Sequence, residues 1–479
     1  MPRLRKRTAL LGAQGLLLLF MTACGFDGGT AQTMTTPSAS APASGDIAQP
    51  SPIGSGSAAD TPSPSPTGTA PAVESASPTP AGTGTVSGAA PSSPNVSDSP
   101  GTASDVPSTG PAASSPQEKP PAGTTEASLV AVGDIMSHAP QLPGYYDAAT
   151  RTYDFKPWFR YVKPLLSKGD WVVANLETPL AGADLTYTGY PRFNAPDELA
   201  DALKDAGFGI LTTANNHTLD RGYVGIARTL ATLRSKGLVP VGTSVSRYDS
   251  QRLTIVEKNG IKLGFLAYTY GTNGIPIPKD HPYAVNLIDL SKITDDIKRL
   301  REAGADAVAV SLHFGIEYQR MPNDDQKDIA RSVVAAGADL VLGSHPHVVQ
   351  PYETIEVPDP TSPDGIRRGF VIYSMGNFVS NQHDNWKDVG VIVSLKLTKT
   401  TGPDGSGRTV WSDVKTTPTW VRIGQKGKNS TYTVYPIAQT LANRDDPDLT
   451  DADYKRMSTY LTGLNRHLKS LAPKQSAAG

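Results

Sequence analysis

The feature that most constrains the fold is a regular alternation of short apolar runs with helical patterns, which begins at Ser128. The apolar runs are rich in β-branched residues, as buried strands are, and the helical patterns stop at a glycine, as helices often do. This alternation predicts an α/β domain with buried strands. The predicted strands are 128–133, 171–174, 209–213, 263–268, 307–312, 339–342 and 370–374, and the predicted helices are 197–206, 223–236 and 324–336.

The pattern changes in the last part of the chain. The runs 389–398, 409–417 and 419–423 are more typical of antiparallel strands, and 449–471 predicts an amphipathic helix. No internal repeat and no break demands a second domain. We therefore predict one folded domain over 127–472, followed by a disordered tail over 473–479.

The N-terminus predicts export. The first 24 residues contain basic Arg3, Arg5, Lys6 and Arg7, then an apolar stretch that is too short for an ordinary membrane span. Small residues precede Cys24, which resembles a bacterial lipobox, in which the cysteine becomes the lipidated first residue. We predict an extracytoplasmic protein anchored to the cell membrane through Cys24. An ordinary signal peptide with an incidental cysteine is the alternative.

Composition sets the next segment apart. Residues 25–126 consist mostly of Ser, Thr, Pro, Ala and Gly and show no hydrophobic periodicity, so they predict a disordered tether. A coil of this length has a root-mean-square span of roughly 55 Å, enough to lift a folded domain off a membrane. The formal net charge of −1 gives no reason to expect nucleic acid as a partner.

Polar clusters follow five of the predicted strands. The clearest is GSHPH, in which His345 and His347 can converge on one point from a single loop. Neutral imidazole is the commonest metal ligand, and open α/β sheets build their sites at the carboxyl ends of strands. Two acidic residues, an asparagine and three histidines are enough for two metal ions. The clusters are GDIM at 133–136, NLET at 175–178, ANNHTLDRG at 214–222, HFGIEY at 313–318 and SHPH at 344–347.

Each of these residues also has a structural interpretation. Asp134 could be a turn or N-cap residue, and Glu177 could pair with Arg192. Asn216 could hold a left-handed turn, and His217 could be a buried histidine that satisfies its own hydrogen bonds.

The motifs GDIM, NLETPL, ANNHTLDRG, HFGIEY, GSHPHVVQPYE and YSMGNF, in this order over 128–382, resemble the CapA family of bacterial capsule synthesis proteins, which is associated with poly-γ-glutamate. That family is similar to calcineurin-like metallophosphoesterases. The resemblance implies an α/β fold in which two mixed β-sheets pack together as a sandwich flanked by helices. It also implies membrane-bound polymer synthase subunits and an anionic polymer as partners.

The resemblance further implies a site for one or two divalent cations, Mn²⁺, Mg²⁺ or Zn²⁺. His217 matches the catalytic histidine that serves as a transition-state donor. Glu177 stands where the bridging aspartate usually is. The matching metal ligands are Asp134, Glu177, Asn216, His313, His345 and His347. Residues expected beside these ligands or at the substrate are His138, Arg192, Glu317, Tyr318, Glu353 and Asn377.

Two positions depart from the metallophosphoesterase pattern. Met136 occupies the histidine position of the usual Asp-x-His motif, and thioether is a poor ligand for Mn²⁺ or Mg²⁺. His138 could replace that histidine only if its loop folds back. Glu177 replaces the shorter aspartate, which moves the carboxylate by about one methylene. Both departures could weaken one metal position.

Three hypotheses for function follow. The first is a lipid-anchored protein in the biosynthesis or export of a poly-γ-glutamate capsule, with a metal-dependent hydrolase site. The second is a non-catalytic scaffold that binds the polymer or the synthase, which the Met136 departure favours. The third is a surface phosphoesterase or amide hydrolase unrelated to capsule, since fold does not fix function.

Overall fold

The structure, a computed structural model, describes residues 123–471. The predicted signal peptide, the lipidation of Cys24, the predicted tether up to residue 122 and the predicted tail lie outside these residues. The strands are β1 (Gly123–Ile135), β2 (Tyr146–Asp147), β3 (Thr152–Tyr153), β4 (Trp171–Leu176), β5 (Ile210–Thr212), β6 (Val239–Val241), β7 (Thr254–Lys258), β8 (Ile261–Thr269), β9 (Ala307–His313), β10 (Leu340–Ser344), β11 (Tyr352–Pro358), β12 (Ile366–Ile372), β13 (Asn377–Val379), β14 (Val389–Thr401), β15 (Gly407–Lys426) and β16 (Asn429–Pro436). The α-helices are α1 (Lys163–Leu166), α2 (Glu198–Ala206), α3 (Gly222–Ser235), α4 (Arg247–Ser250), α5 (Leu290–Glu302), α6 (Asp324–Ala335), α7 (Ile437–Asn443) and α8 (Asp451–Leu468).

Two mixed sheets form the frame. The first has the order β16-β15-β14-β1-β4-β5-β6, with β13 beside β1, and the second has the order β11-β12-β10-β9-β8-β7. β1, β4, β5 and β6 run parallel in the first sheet, and β8, β9, β10 and β12 run parallel in the second. The predicted architecture of two mixed sheets flanked by helices is confirmed.

The central strands of both sheets are buried on both faces. Along β1, Leu129 and Ala131 belong to the core between the sheets, whereas Val130 and Val132 pack in an outer cluster. This is the alternation that a strand covered on both sides requires, and it explains why these runs are apolar throughout. The outer cluster of the first sheet includes residues of α2, and that of the second sheet includes residues of α5 and α6.

Several boundaries differ from the prediction. β1 begins at Gly123, so 123–126, predicted as tether, pair instead with the end of β14. The predicted strands 409–417 and 419–423 form the single strand β15, which continues through Pro418. Before Thr419, β15 pairs only with β14, so the missing N–H of Pro418 falls on an unpaired edge where proline is tolerated. Among residues 123–471, no helix combines the length and apolarity that crossing a membrane requires.

Candidate metal centre

Six predicted metal ligands lie at one end of the two sheets. Three strands of the first sheet and two of the second end there, and each delivers its polar residues in its last two positions or in the loop that follows. All six side chains are buried. They are Asp134 on β1, Glu177 after β4, Asn216 after β5, His313 at the end of β9, and His345 and His347 after β10.

Two glycines allow the backbones to approach at this end. A side chain on Gly133, next to Asp134, would place its Cβ 1.9 Å from the carbonyl oxygen of Gly376. A side chain on Gly343 would place its Cβ 2.0 Å from the carbonyl oxygen of Tyr373. Only glycine fits such contacts, which explains why the two motifs begin with it.

The loop after β10 holds its two histidines in unusual backbone conformations. His345 has φ of 102° and His347 has φ of 57°, and residues other than glycine rarely adopt such positive φ angles. Such residues cost about 1–3 kcal/mol each and cluster at functional sites. The left-handed backbone turns both imidazoles towards the carboxylates of the first sheet.

The donor atoms of these residues are close together. The Nδ1 atom of His347 lies 3.1 Å from Asp134 Oδ2, and its Nε2 atom lies 3.7 Å from Glu177 Oε1. The Nε2 atom of His313 lies 3.5 Å from the same Glu177 oxygen and 3.0 Å from Asn216 Oδ1. The far-apart motifs of the sequence therefore form one cluster.

The cluster contains overlapping sets of possible ligands. In each set, one ligand atom from every residue lies within 4.8 Å of the others. Glu177, His345 and His347 each belong to two of the three sets, so the sets join into one cluster. The sets are Asp134 with Glu177 and His347, Glu177 with His313 and His345, and Glu317 with His345 and His347.

Asn175 connects the two carboxylates from behind. Its amide nitrogen donates to Asp134 Oδ1 at 2.8 Å and to Glu177 Oε2 at 3.2 Å, and it lies 3.3 Å from the Nδ1 atom of His313. Its own oxygen accepts from the Thr212 hydroxyl. The asparagine thus fixes which oxygen of each carboxylate is left for the centre.

The electrostatics favour the neutral form of two imidazoles in the cluster, His313 and His345. Burial, together with the neighbouring histidines, lowers the pKa of His313 well below its usual range and the pKa of His345 to about 3. Burial, the Asp134 carboxylate and Glu317 raise the pKa of Glu177 well above its usual range. Neutral imidazoles are ready to act as ligands, whereas the two carboxylates repel each other unless positive charge is present.

The residues fit a divalent cation. Glu177 Oε1 and His345 Nδ1 are buried and have no hydrogen-bond partner among the described residues. Buried polar atoms without a partner are rare and require an explanation. Carboxylate and amide oxygens combined with imidazole nitrogens suit Mn²⁺ and Zn²⁺, and a cation would offset the charge of Asp134 and Glu177.

His217 lies beside this cluster and is fixed by a carboxylate. Its Nδ1 atom lies 2.8 Å from Asp220 Oδ2, and the same oxygen accepts from the Phe193 N–H at 2.7 Å. A carboxylate on Nδ1 sets the tautomer and leaves Nε2 for other partners. Phe193 packs edge-on between the rings of His217 and His138, at 4.6 and 5.0 Å between centroids.

Of the residues expected beside the ligands, Glu317 and Tyr318 are at the centre. Glu317 belongs to one of the three ligand sets. The Tyr318 N–H donates to the Pro346 carbonyl at 2.8 Å, and its ring centroid lies 6.3 Å from that of His347. Both side chains are exposed, so they form the solvent side of the cluster.

The other four make different contacts. His138 accepts from the Asn381 N–H and belongs to none of the three ligand sets. Arg192 is exposed, and its carbonyl accepts from Arg221. Asn377 donates to the Lys387 carbonyl and to Gln382. Glu353 lies farthest from the expected role. It shares a strand face with Ile355, which packs in the outer layer of the second sheet, and its carboxylate accepts a hydrogen bond from the Tyr373 hydroxyl at 2.7 Å there.

The structural alternatives can be compared with these contacts. Glu177 makes no ion pair with Arg192 within 123–471; its partners are imidazoles. Met136 is buried directly after the end of β1, two residues beyond Asp134.

Three residues at the site were not predicted. Asn175 and Asp220 stand inside motifs that the sequence already marked, two residues before Glu177 and three after His217, spacings that place them on the same side. Tyr270 follows β8, where no polar cluster drew attention. Its ring centroid lies 4.6 Å from that of His345, and its N–H donates to the His313 carbonyl.

Comparison with known proteins confirms the resemblance to CapA. Residues 128–382, more than half of the chain, match the family described as bacterial capsule synthesis protein PGA_cap. Capsule biosynthesis protein CapA of Bacillus anthracis is 31% identical over 263 residues, which cover 53% of this chain and 60% of that protein. PGA biosynthesis protein CapA of Bacillus subtilis is 31% identical over 286 residues, which cover 58% of this chain and 68% of that protein. The chain thus spans less than two thirds of the first relative's length.

Solved structures give weaker likenesses. The calcineurin-like phosphoesterase YfkN of Bacillus subtilis aligns over 73% of this chain and 99% of that chain, with 16% identity and a TM-score of 0.33. The NAD nucleotidase of Haemophilus influenzae aligns over 72% of this chain and 61% of that chain, with 12% identity and a TM-score of 0.38. Likenesses this weak carry no information about the activity of this chain.

Proposed function

Because the chain belongs to the bacterial capsule synthesis protein family PGA_cap, we propose that it acts in the biosynthesis or export of a poly-γ-glutamate capsule. We place this activity at the outer face of the cell membrane, with Cys24 as the lipid anchor. The observation that carries the proposal is the convergence of six buried donor residues from the ends of five strands on one centre, in a member of that family. Its partners would be membrane-bound synthase subunits and the anionic polymer.

The six residues would hold one or two divalent cations. Asp134, Glu177 and His347 would form one half of the centre, and Glu177, Asn216, His313 and His345 the other. When bound, such a cation polarises a phosphoryl or carboxyl oxygen and lowers the pKa of a water molecule. Asn175 would keep the two carboxylates in position throughout.

His217 would handle the proton of the leaving group. Asp220 holds the Nδ1 proton and stabilises the ring when Nε2 carries a second proton. That Nε2 proton would pass to the oxygen that leaves the substrate. Phe193 packs against the ring and fixes its plane, so the proton would be delivered in one direction.

Complementation of a gene deletion tests the role of the centre. We expect the deletion strain to lose surface polymer, the wild-type gene to restore it, and His345→Ala to fail. His383→Ala, which changes an exposed histidine paired with Asp384, is the matched control and should restore polymer fully. Full restoration by His345→Ala would show that the centre is dispensable for capsule.

A scaffold without catalysis is the second candidate, because Met136 leaves one half of the centre with fewer nitrogen donors. It predicts that His217→Ala restores polymer as well as the wild type does, while His345→Ala does not. Loss of polymer in both variants, with both proteins present at wild-type levels, would favour the enzyme.

A further inference from the structure

We propose that Glu317 is a further ligand of the cation centre and closes it on the solvent side. This inference rests on the proposed function of the centre in holding a divalent cation. A Glu317 carboxylate oxygen and one nitrogen each of His345 and His347 lie within 4.8 Å of one another, close enough to share one ion. The sequence grouped Glu317 with Glu353, but only Glu317 reaches these imidazoles.

The loop that carries Glu317 is bonded directly to the loop of the two histidines. At one end, the Phe314 N–H donates to the Ser344 carbonyl at 3.1 Å. At the other end, the Tyr318 N–H donates to the carbonyl of Pro346 at 2.8 Å, and Pro346 stands between the two histidines. Glu317 directly precedes this second bond, so its backbone position relative to both imidazoles is set by the fold.

Buried amides hold the same loop from behind. The side chain of Gln350 donates to the carbonyls of Gln319 at 2.8 Å and Met321 at 3.2 Å, and its oxygen accepts from Gln326 at 2.9 Å. Gly315 has φ of 100°, and a Cβ on it would lie 2.6 Å from the Gln326 side chain. A loop supported by a buried amide pair on one side and the histidine loop on the other presents Glu317 in a fixed place.

The charge and composition of the centre fit another oxygen donor. Glu317 forms no ion pair with Lys, Arg or His in the part of the chain that the structure describes, so no side-chain cation there neutralises its carboxylate. The half formed by Asp134, Glu177 and His347 has only three donors. Carboxylate is a good ligand for Mn²⁺, whereas the thioether of Met136 is not.

Titration of the full-length protein with Mn²⁺ tests this ligand. We compare wild type, Glu317→Gln, Glu317→Ala and the control Glu353→Gln by calorimetry and by the electron paramagnetic resonance spectrum of bound Mn²⁺. Glu317→Gln and Glu317→Ala should both bind Mn²⁺ at least about tenfold more weakly and change the spectrum. Removing a residue that only hydrogen-bonds to a metal ligand typically weakens metal affinity by about tenfold or more, so tenfold is a lower bound for losing a ligand itself. Glu353→Gln should match the wild type.

The outcomes separate this ligand from the centre itself. If the wild type binds Mn²⁺ and Glu317→Gln binds it within about twofold of the wild type, Glu317 is not a ligand, although the centre stands. Wild-type affinity in Glu317→Gln with weaker binding in Glu317→Ala would mean that Glu317 only orients the imidazoles, because the glutamine oxygen can still accept a hydrogen bond. Absence of Mn²⁺ binding in the wild type would overturn both proposals.

Discussion

Two buried carboxylates, one in each region of the molecule, have opposite surroundings. In the C-terminal region, residues 388–468, Asp388 accepts from the Trp420 indole and from the Tyr460 hydroxyl, each at 3.0 Å. In the centre, Glu177 is equally buried, but its Oε1 atom has no hydrogen-bond partner among the described residues and faces two imidazoles. The Asp388 carboxylate is hydrogen-bonded within the protein, whereas the Glu177 carboxylate has an oxygen left for a ligand.

This difference distinguishes a buried carboxylate that stabilises the fold from one that is available to bind a ligand. A buried carboxylate with satisfied oxygens stabilises the native state, and one with a free oxygen costs stability unless a ligand binds. The match to the capsule synthesis family ends at residue 382, just before Asp388. The C-terminal region extends the first sheet with β14–β16 and covers the core with α8, so its role is support.

The largest effect we expect is on stability, in the C-terminal region. Trp420→Ala should lower the free energy of unfolding by about 3–5 kcal/mol, because it removes a large buried side chain and leaves Asp388 without its indole partner. Urea denaturation measures the loss. Val410→Ala, at an exposed position of the same strand, should change it by less than about 0.5 kcal/mol. The Mn²⁺ affinity of folded Trp420→Ala should stay within about twofold of the wild type.

The second-largest effect comes from two amide substitutions, one in each region, with opposite consequences for Mn²⁺ affinity and stability. Glu177→Gln should weaken Mn²⁺ binding by at least about 100-fold, or about 3 kcal/mol, because it removes the shared oxygen donor. Its cation-free stability should stay within about 1 kcal/mol of the wild type, since burial and the Asp134 carboxylate raise the pKa of Glu177 and disfavour the charge that glutamine lacks.

Asp388→Asn should do the reverse of Glu177→Gln. It should lower the free energy of unfolding by about 1–3 kcal/mol and leave Mn²⁺ affinity unchanged. Calorimetric titration and urea denaturation of both variants measure the pair. The two carboxylates would not differ in role if Asp388→Asn weakened Mn²⁺ binding as much as Glu177→Gln does.

The sequence predicted the centre better than its surroundings. The convergence of these polar side chains could be predicted because parallel strands bring their carboxyl ends together, whatever their separation in the chain. Glu317 and Glu353 could not be told apart, because the difference depends on the face of β11 on which Glu353 lies. Nor could composition reveal that 123–126 pair with β14, since that strand lies far along the chain.

The third effect is the pH dependence contributed by His138. Burial lowers the pKa of His138 to about 4, below its value of 6.5 in an unfolded chain. As the pH falls below 6.5, the unfolded chain therefore takes up this proton first, so stability that is present above pH 6.5 is lost towards pH 4. At about pH 5 the loss amounts to about 2 kcal/mol.

Denaturation of the cation-free protein at about pH 7 and about pH 5 measures this loss, and the difference between variants isolates His138 from other groups. His138→Gln should lose about 2 kcal/mol less than the wild type between the two conditions. His383→Gln, which changes an exposed histidine, should lose as much as the wild type. An equal loss in His138→Gln and the wild type would mean that His138 is not responsible.

The smallest effect concerns the weaker half of the centre. Met136 is buried two residues after Asp134, so we expect Met136→His to bring an imidazole close to the half formed by Asp134, Glu177 and His347. We expect Mn²⁺ to bind about tenfold more tightly, which is about 1.4 kcal/mol. Met136→Leu, which keeps the size and adds no donor, should leave Mn²⁺ affinity unchanged in the same calorimetric titration.

The double variant Met136→His with Glu317→Gln makes this last prediction sharper. If Glu317 compensates for the missing histidine, Met136→His should raise Mn²⁺ affinity by clearly more than about tenfold in the Glu317→Gln background, so the two changes should be non-additive. Additive changes would mean that the two residues act on separate ions. A gain that is larger in the Glu317→Gln background than in the wild type would show that the oxygen donor on the solvent side and the absent nitrogen donor after β1 serve the same cation, because only ligands of one ion can substitute for each other in this way.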